Sequence, residues 1–183
     1  DGDIYSYRRT YAELGWVHGV DDTELERYVI GQVSPETSIM TFMSNFEESQ
    51  WSMIRLKDSD GNILYDRGKP GEGITEDDLN DTEMYQMCTG YKIEYGVDET
   101  GGEEIYISVL GDVNGDGYLD TADNISVLSY IRRVLELDKA EYKLAAYVVN
   151  SGEIGTSDAI ALLSIIRRVT DIKDHYYIPN QTA

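Results

Sequence analysis

The chain is poor in the residues that most often carry chemistry. It has one cysteine, two histidines and 15 basic residues against 35 acidic ones, in 183 residues. The single Cys88 excludes an internal disulfide framework and says little by itself about compartment. A formal charge of −20 argues against nucleic acid and anionic membranes as partners and fits high solubility. No apolar run approaches the roughly 20 residues of a membrane span. No secretory leader is recognisable and the first residue is Asp1, so the sequence reads as an excised fragment. His18 and His175 lie near opposite ends, and Cys88 has no motif around it. Carboxylate pairs suited to glycoside hydrolysis occur in any chain this acidic, so they decide nothing. The expectation is a protein that performs no chemistry. Its hydrophobic content of 41% is enough for one or two folded domains.

What is present is concentrated in one stretch, Asp112-Val113-Asn114-Gly115-Asp116-Gly117-Tyr118-Leu119-Asp120-Thr121-Ala122-Asp123. It fits a twelve-residue calcium loop with Asp in place of Glu at the last position. A cation of calcium's size takes six to eight oxygens, which such a loop supplies from positions 1, 3, 5, 7, 9 and 12, with glycine at 6 for the sharp turn. These are Asp112, Asn114, Asp116, the Tyr118 backbone carbonyl, Asp120 and Asp123, with Gly117 at the turn. Leu119 can anchor the loop in a core. One bound Ca2+ is expected here.

The helix that this loop opens recurs. Asp123-Asn124-Ile125-Ser126-Val127-Leu128-Ser129-Tyr130-Ile131-Arg132-Arg133-Val134 is matched 35 residues later by Asp158-Ala159-Ile160-Ala161-Leu162-Leu163-Ser164-Ile165-Ile166-Arg167-Arg168-Val169. Apolar residues at three- and four-residue steps predict one buried face in each copy: Ile125, Leu128, Ile131 and Val134 or Leu135, then Ile160, Leu163, Ile166 and Val169. Each leading Asp can cap free N–H groups and complement the helix dipole. Residues 139–146 read as a short connecting helix. The second loop, Tyr147 to Asp158, keeps Gly152 and Ile154. It has Tyr147, Val149 and Ser151 at positions 1, 3 and 5 and Gly155 at position 9. Asn150 and Glu153 stand where side chains point away from a metal. This loop is expected to hold its shape without an ion, Tyr147 and Val149 packing inward.

Residues 111–172 resemble a dockerin, the duplicated calcium loop-helix module that docks onto cohesin domains in cellulosome-type assemblies. Gly111 to Gly117 is similar to that family's most recognisable string. Residues 104–110 alternate and are β-branched, so a strand rather than a helix precedes the loop, which sets the chain apart from calmodulin-type sensors. The resemblance implies contacts to a cohesin through Thr121, Ser129, Arg132 and Arg133 in the first copy. In the second it implies Thr156, Ser157, Ser164, Arg167 and Arg168. Ala122 departs from the hydroxyl often found there.

Upstream, Tyr28–Val33 reads as a strand. Ser34 as cap and Pro35 at the first helical position predict a helix over 37–46 with Ile39, Phe42, Met43 and Phe46 on its apolar face. Residues 51–56 and 63–65 flank Asp58-Ser59-Asp60-Gly61-Asn62 as a hairpin. Asp58 and Asp60 there mark a turn, since no carboxylate stands at the closing position of a calcium loop. Strands at 91–95 and 105–110 enclose a turn at Gly101-Gly102. In residues 1–27, Tyr5, Tyr7, Arg9 and Tyr11 alternate as in a strand, and 21–26 can begin a helical turn. This region is similar to the small β-rich X modules that often precede dockerins, the phrase Thr89 to Ile93 and the junction into Gly111-Asp112 carrying the likeness.

The fold expected is therefore α+β: a small β-rich X-module-like domain over 1–110 packed on an all-α dockerin over 111–183. No flexible linker separates them. Residues 1–110 carry a net charge of −16 and residues 111–183 only −4, with four of the latter's seven bases in the two Arg-Arg pairs. Dipole complementation at helix ends accounts for part of that placement; arginine at interface hot spots accounts for the pairing. The function expected is calcium-dependent docking onto a cohesin of a scaffoldin or cell-surface protein, anchoring a parent polypeptide in an extracellular polysaccharide-degrading complex. Two alternatives stand beside it. Trp16, Trp51 and 15 tyrosines could serve a carbohydrate-binding accessory module, and the loop alone could serve an EF-hand sensor. A sensor exposes a Met-rich groove, and residues 111–183 contain no methionine.

Overall fold

A computed structural model describes residues 8–10, 28–98, 101–149 and 153–175. The expectations for 1–7 and 11–27, including Trp16 and His18, lie outside the described residues, as do Asn150, Ser151 and Gly152 of the second loop. In chain order the elements are β1 (Arg8–Thr10), β2 (Tyr28–Val33), α1 (Ile39–Met43), α2 (Glu48–Trp51), β3 (Ile54–Lys57), β4 (Ile63–Asp66), β5 (Lys69–Pro70) and α3 (Glu76–Asn80). They continue with β6 (Lys92–Asp98), β7 (Gly101–Val109), α4 (Thr121–Ile131), α5 (Ala140–Ala146), α6 (Thr156–Ile166) and a 3-10 turn at Ile172–His175.

The seven strands form one sheet in the order β1-β2-β7-β6-β3-β4-β5. Every pairing is antiparallel except β2 with β7, which run parallel with Val29 beside Tyr106 and Ile30 beside Ile107. Alternation decides the two faces. Ile54, Leu56, Ile93, Ile105 and Ile107 point to one side, where Ile39, Phe42 and Met43 of α1, Phe46 just after it and Leu79 of α3 complete a core. The other side is divided. Over β3, β4, β6 and β7 it carries a ladder of ion pairs, Arg55 to Asp66 and Glu94, Lys57 to Glu94, and Lys92 to Glu104 at 2.6 Å. Over β2 and β7 it is covered by α5, with Val29, Ala140 and Leu144 buried together against Tyr106. A separate core of Val113, Val127, Leu137, Ala146, Val148, Ala159, Leu162 and Ile165 binds the repeat helices to each other.

This corrects the expected fold. Instead of a small β domain set against an all-α dockerin, the chain is mixed α/β, with helices in both halves and α5 of the repeat region laid on the sheet. The physical reason is the parallel pairing of β2 and β7, which leaves an apolar strip that α5 is placed to cover. Gly31 lets it come close: a Cβ there would sit 2.3 Å from Leu144 Cδ2. Backbone bonds from Leu110 N to Val33 O and from Gly111 N to Ala145 O, and the Ser108 hydroxyl donating to Glu141 O at 2.7 Å, stitch the three elements together.

Three local expectations also shift. Helix α1 begins at Ile39, capped by Ser38, whose Oγ accepts from Thr41 N at 3.1 Å. Ser34 does not cap it, because Glu36 takes φ 58° and Thr37 Oγ1 closes a separate turn onto Ser34 O. Gly101 and Gly102 lie inside β7, not in the turn, since the β6–β7 ladder extends to Asp98 opposite Gly101. Trp51 ends α2 instead of opening β3. The turn at Asp58–Asn62 is as expected, the Asp58 carboxylate accepting from Asp60 N and Asn62 N.

Truncating the side chain that seats α5 tests the sheet–helix union. Leu144→Ala, at a position 5% exposed, is expected to lower the unfolding free energy by about 2–4 kcal/mol. Urea denaturation checks it, and a loss below about 1 kcal/mol, the range of an uncoupled surface change, contradicts the union.

Candidate metal loop and docking face

The first loop is folded around its own carboxylates. Asp112, fully buried, accepts from Gly115 N on Oδ1 at 2.9 Å and from Thr89 N on Oδ2 at 2.8 Å. Asp123, also fully buried, accepts from Val113 N at 2.8 Å and Asn114 N at 3.2 Å on Oδ1, and from Asp120 N at 2.9 Å on Oδ2. Asn114 Oδ1 accepts from Asp116 N, Asp116 Oδ1 from Tyr118 N, and Asp120 Oδ1 from Ala122 N. Gly115 and Gly117 take φ 80° and 83°, which a side chain would strain. Leu119 and Ile154, the two expected anchors, both pack on the repeat-helix core.

Each carboxylate oxygen has two lone pairs; Asp123 Oδ2, which accepts one N–H, keeps one for a cation, whereas Asp123 Oδ1 already accepts two. The charge balance favours one. No lysine or arginine among the described residues forms an ion pair with these carboxylates. Burial pushes Asp112 above the ordinary carboxylate range, against the backbone N–H groups that lower it. Burial likewise raises Asp123 to about 6. Among the described residues, no three His, Cys, Asp or Glu side chains are gathered around one point. That holds for Asp112, Asp116, Asp120 and Asp123 as well, so the four loop aspartates do not stand as a ready-gathered ligand group in this structure. In chemical type, Asp112, Asn114, Asp116, Tyr118 through its carbonyl, Asp120 and Asp123 are the oxygen donors that a hard cation takes.

The second loop repeats the frame without the ligands. Asp158, fully buried, accepts from Val149 N at 2.7 Å and Gly155 N at 2.8 Å. These are the positions matched by Asn114 and Asp120 in the first loop, so the closing aspartate makes the same two bonds in both. Burial raises the Asp158 carboxyl too. Tyr147 and Val148 are buried and Val149 only partly so, so the inward-facing pair is 147 and 148 rather than 147 and 149.

The closing aspartates also settle which helix face is buried, and here the periodicity misleads. A residue two positions on lies about 200° around the helix, and one four positions on lies on the same face. With Asp123 turned inward, Val127 is buried and Ile125 is 62% exposed; with Asp158 inward, Leu162 is buried and Ile160 is 62% exposed. Val134 and Val169, just past the helix ends, are 80% and 74% exposed. Leu128, Ile131, Leu163 and Ile166 are only partly buried. The expected apolar face is therefore displaced, and two isoleucines and two valines stand in water at equivalent places. The repetition of Ile and Val in both copies was the signal for them.

The docking residues share that exterior. Thr121, Arg132, Arg133, Thr156, Ser157, Arg167 and Arg168 are exposed, Ser129 and Ser164 half-buried. Arg133 and Arg168 take φ 59° and 57°, the left-handed position past a helix end where glycine is usual. Each is closed by matching bonds: Val134 N to Ser129 O at 2.9 Å, and Val169 N to Ser164 O at 2.8 Å.

Cys88 is buried directly beneath the first loop, and burial pushes its thiol up to about 11. Trp51 is not an open stacking platform, since its Nε1 donates to Met43 O and Phe46 O and its ring meets Tyr65 edge-on at 6.3 Å. Set beside known proteins, the chain matches no family model, no curated protein and no solved structure.

Removing the second closing aspartate separates frame from metal. Asp158→Ala strips the acceptor from two backbone N–H groups and is expected to cost about 1–3 kcal/mol, while calcium binding by the first loop is unchanged. Thermal unfolding with a parallel calcium titration reads both; an unaltered melting midpoint contradicts the role given to Asp158.

Proposed function

We propose that this chain is a non-catalytic, calcium-dependent docking module that binds a cohesin and holds its parent polypeptide in an extracellular polysaccharide-degrading complex. The observation that supports it best is a surface made twice. Each repeat helix presents Ile, Ser, Arg-Arg and Val at equivalent exposed or half-exposed positions, Ile125 to Val134 and Ile160 to Val169. Arginine is among the residues enriched in interface hot spots, and each helix carries a pair of them. A non-glycine residue in the left-handed region costs on the order of 1 kcal/mol. Keeping arginine there in both copies favours a use for the side chain over a simple helix stop.

Calcium enters as the element that fixes the first helix. Asp112, Asn114, Asp116, Tyr118, Asp120 and Asp123 would hold the ion, and it would supply the positive charge that the buried carboxylates lack. With the ion bound, the N-terminal turn of α4 is held from both sides. The second helix depends on the Asp158 bonds and on packing alone, so one docking orientation is expected to dominate. The carbohydrate-binding alternative loses support with Trp51 committed to the core.

The test is calorimetry of the full chain against a cohesin panel, with calcium and with chelator. Binding that disappears on chelation is expected. Arg132→Ala/Arg133→Ala and Arg167→Ala/Arg168→Ala should differ, one costing at least tenfold, about 1.4 kcal/mol, and the other little. Binding to insoluble polysaccharide with none to any cohesin overturns the proposal. Near-normal binding by both doubles with collapse in the quadruple variant establishes two orientations instead of one.

A further inference from the structure

The first loop is fastened to the sheet half through a segment that the docking reading does not use. Thr89, fully buried, donates its N–H to Asp112 Oδ2 at 2.8 Å, and its Oγ1 accepts from Val109 N at 3.0 Å. The two loop glycines come down on the same segment. A Cβ at Gly115 would stand 2.9 Å from Thr89 O, and one at Gly117 would stand 2.6 Å from Cys88 Sγ and 2.8 Å from Gln86 Nε2. The segment is tied in turn to the rest of the sheet half. Gln86 bridges to Ser38, Met87 N donates to Thr37 O at 2.8 Å, and Gly90 N donates to Ile107 O at 2.9 Å.

We infer that a cation in the 112–123 loop also latches residues 86–90, so that calcium occupancy controls access to the Cys88 thiol. This rests on the calcium reading above. Asp112 is both the first ligand and the acceptor for Thr89, so holding its carboxylate for the ion holds the bond to the segment. Without a cation, Asp112, Asp116, Asp120 and Asp123 repel one another within one short loop. Lifting the loop would relieve this repulsion and would take Gly117 off Cys88, whose thiol also meets Gln86 and Tyr91. Cys88 belongs to the 86–90 segment and lies against Gly117, between the expected ligands Asp116 and Tyr118, so it reports the latch from directly beneath the loop. Coupling of this kind is reciprocal: whatever factor calcium applies to the segment, a change at the segment applies to calcium.

The experiment uses the full chain, freed of metal and then with calcium restored. It follows the rate of Cys88 with a thiol reagent, amide exchange at 86–90 and at β3, and calcium binding by calorimetry. The expected result is thiol reaction slowed at least about tenfold by calcium, slower exchange at 86–90, and no change at β3. A bulky maleimide placed on Cys88 under chelation should weaken calcium binding. Calcium binding with unchanged thiol rate and exchange overturns the latch and leaves the calcium reading intact. Absence of calcium binding overturns both. A matching loss of protection at β3 makes the response global, and that too overturns the latch.

Discussion

The rest of the repeat region depends on one constraint: an aspartate at the start of each long helix turned inward onto its own loop. Asp123 accepts from three backbone N–H groups of the loop that precedes it, and Asp158 from two. Satisfying those donors closes the loop, because a buried unpaired N–H costs as much as a lost hydrogen bond. Turning the carboxylate inward also sets the rotation of the helix that follows. Val127 and Leu162 are thereby buried, Ile125 and Ile160 thereby exposed. One contact per repeat thus determines both the interior and the surface offered to a partner.

The same arrangement explains why a chain this acidic tolerates buried carboxylates. In the second loop one aspartate stands among backbone donors with Tyr147 and Val148 as core. In the first, Asp112 and Asp123 are both buried in a loop that also carries Asp116 and Asp120, with no basic side chain paired to them among the described residues. Backbone N–H groups supply part of the compensation, and on the calcium reading proposed above a divalent cation would supply the remainder. Among the described residues, Arg55, Lys57 and Lys92 neutralise the ion-pair face of the sheet. Four arginines stand at the ends of the repeat helices.

Much of this was legible in residues alone, and the failures have identifiable causes. The loop, its glycine at the turn, the repeated helix and the connecting helix were all visible because each is specified by local spacing. The buried helix face was not. Three- and four-residue spacing through Ile125 and Ile160 marks an apolar stripe, but in these helices the inward position belongs to a charged residue, which no hydrophobic period can announce. The junction was legible only as the absence of a linker. The parallel pairing of β2 with β7 joins residues about 77 positions apart, and nothing local in Tyr28–Val33 signals it. That pairing creates the strip that α5 covers, so the fold class of a β-rich part packed on a separate all-α part failed for the same reason. Ser34-Pro35 misled in a smaller way: it has the composition of a helix start, yet Ser38 holds the cap because the chain turns at Glu36 first.

The central claim is that two loops share one frame and only the first holds a cation. Native mass spectrometry of the full chain in calcium counts the ions directly. The account predicts one calcium per chain, lost in Asp112→Ala and kept in Asp158→Ala. Two calciums per chain, or one that survives Asp112→Ala and vanishes with Asp158→Ala, would contradict it.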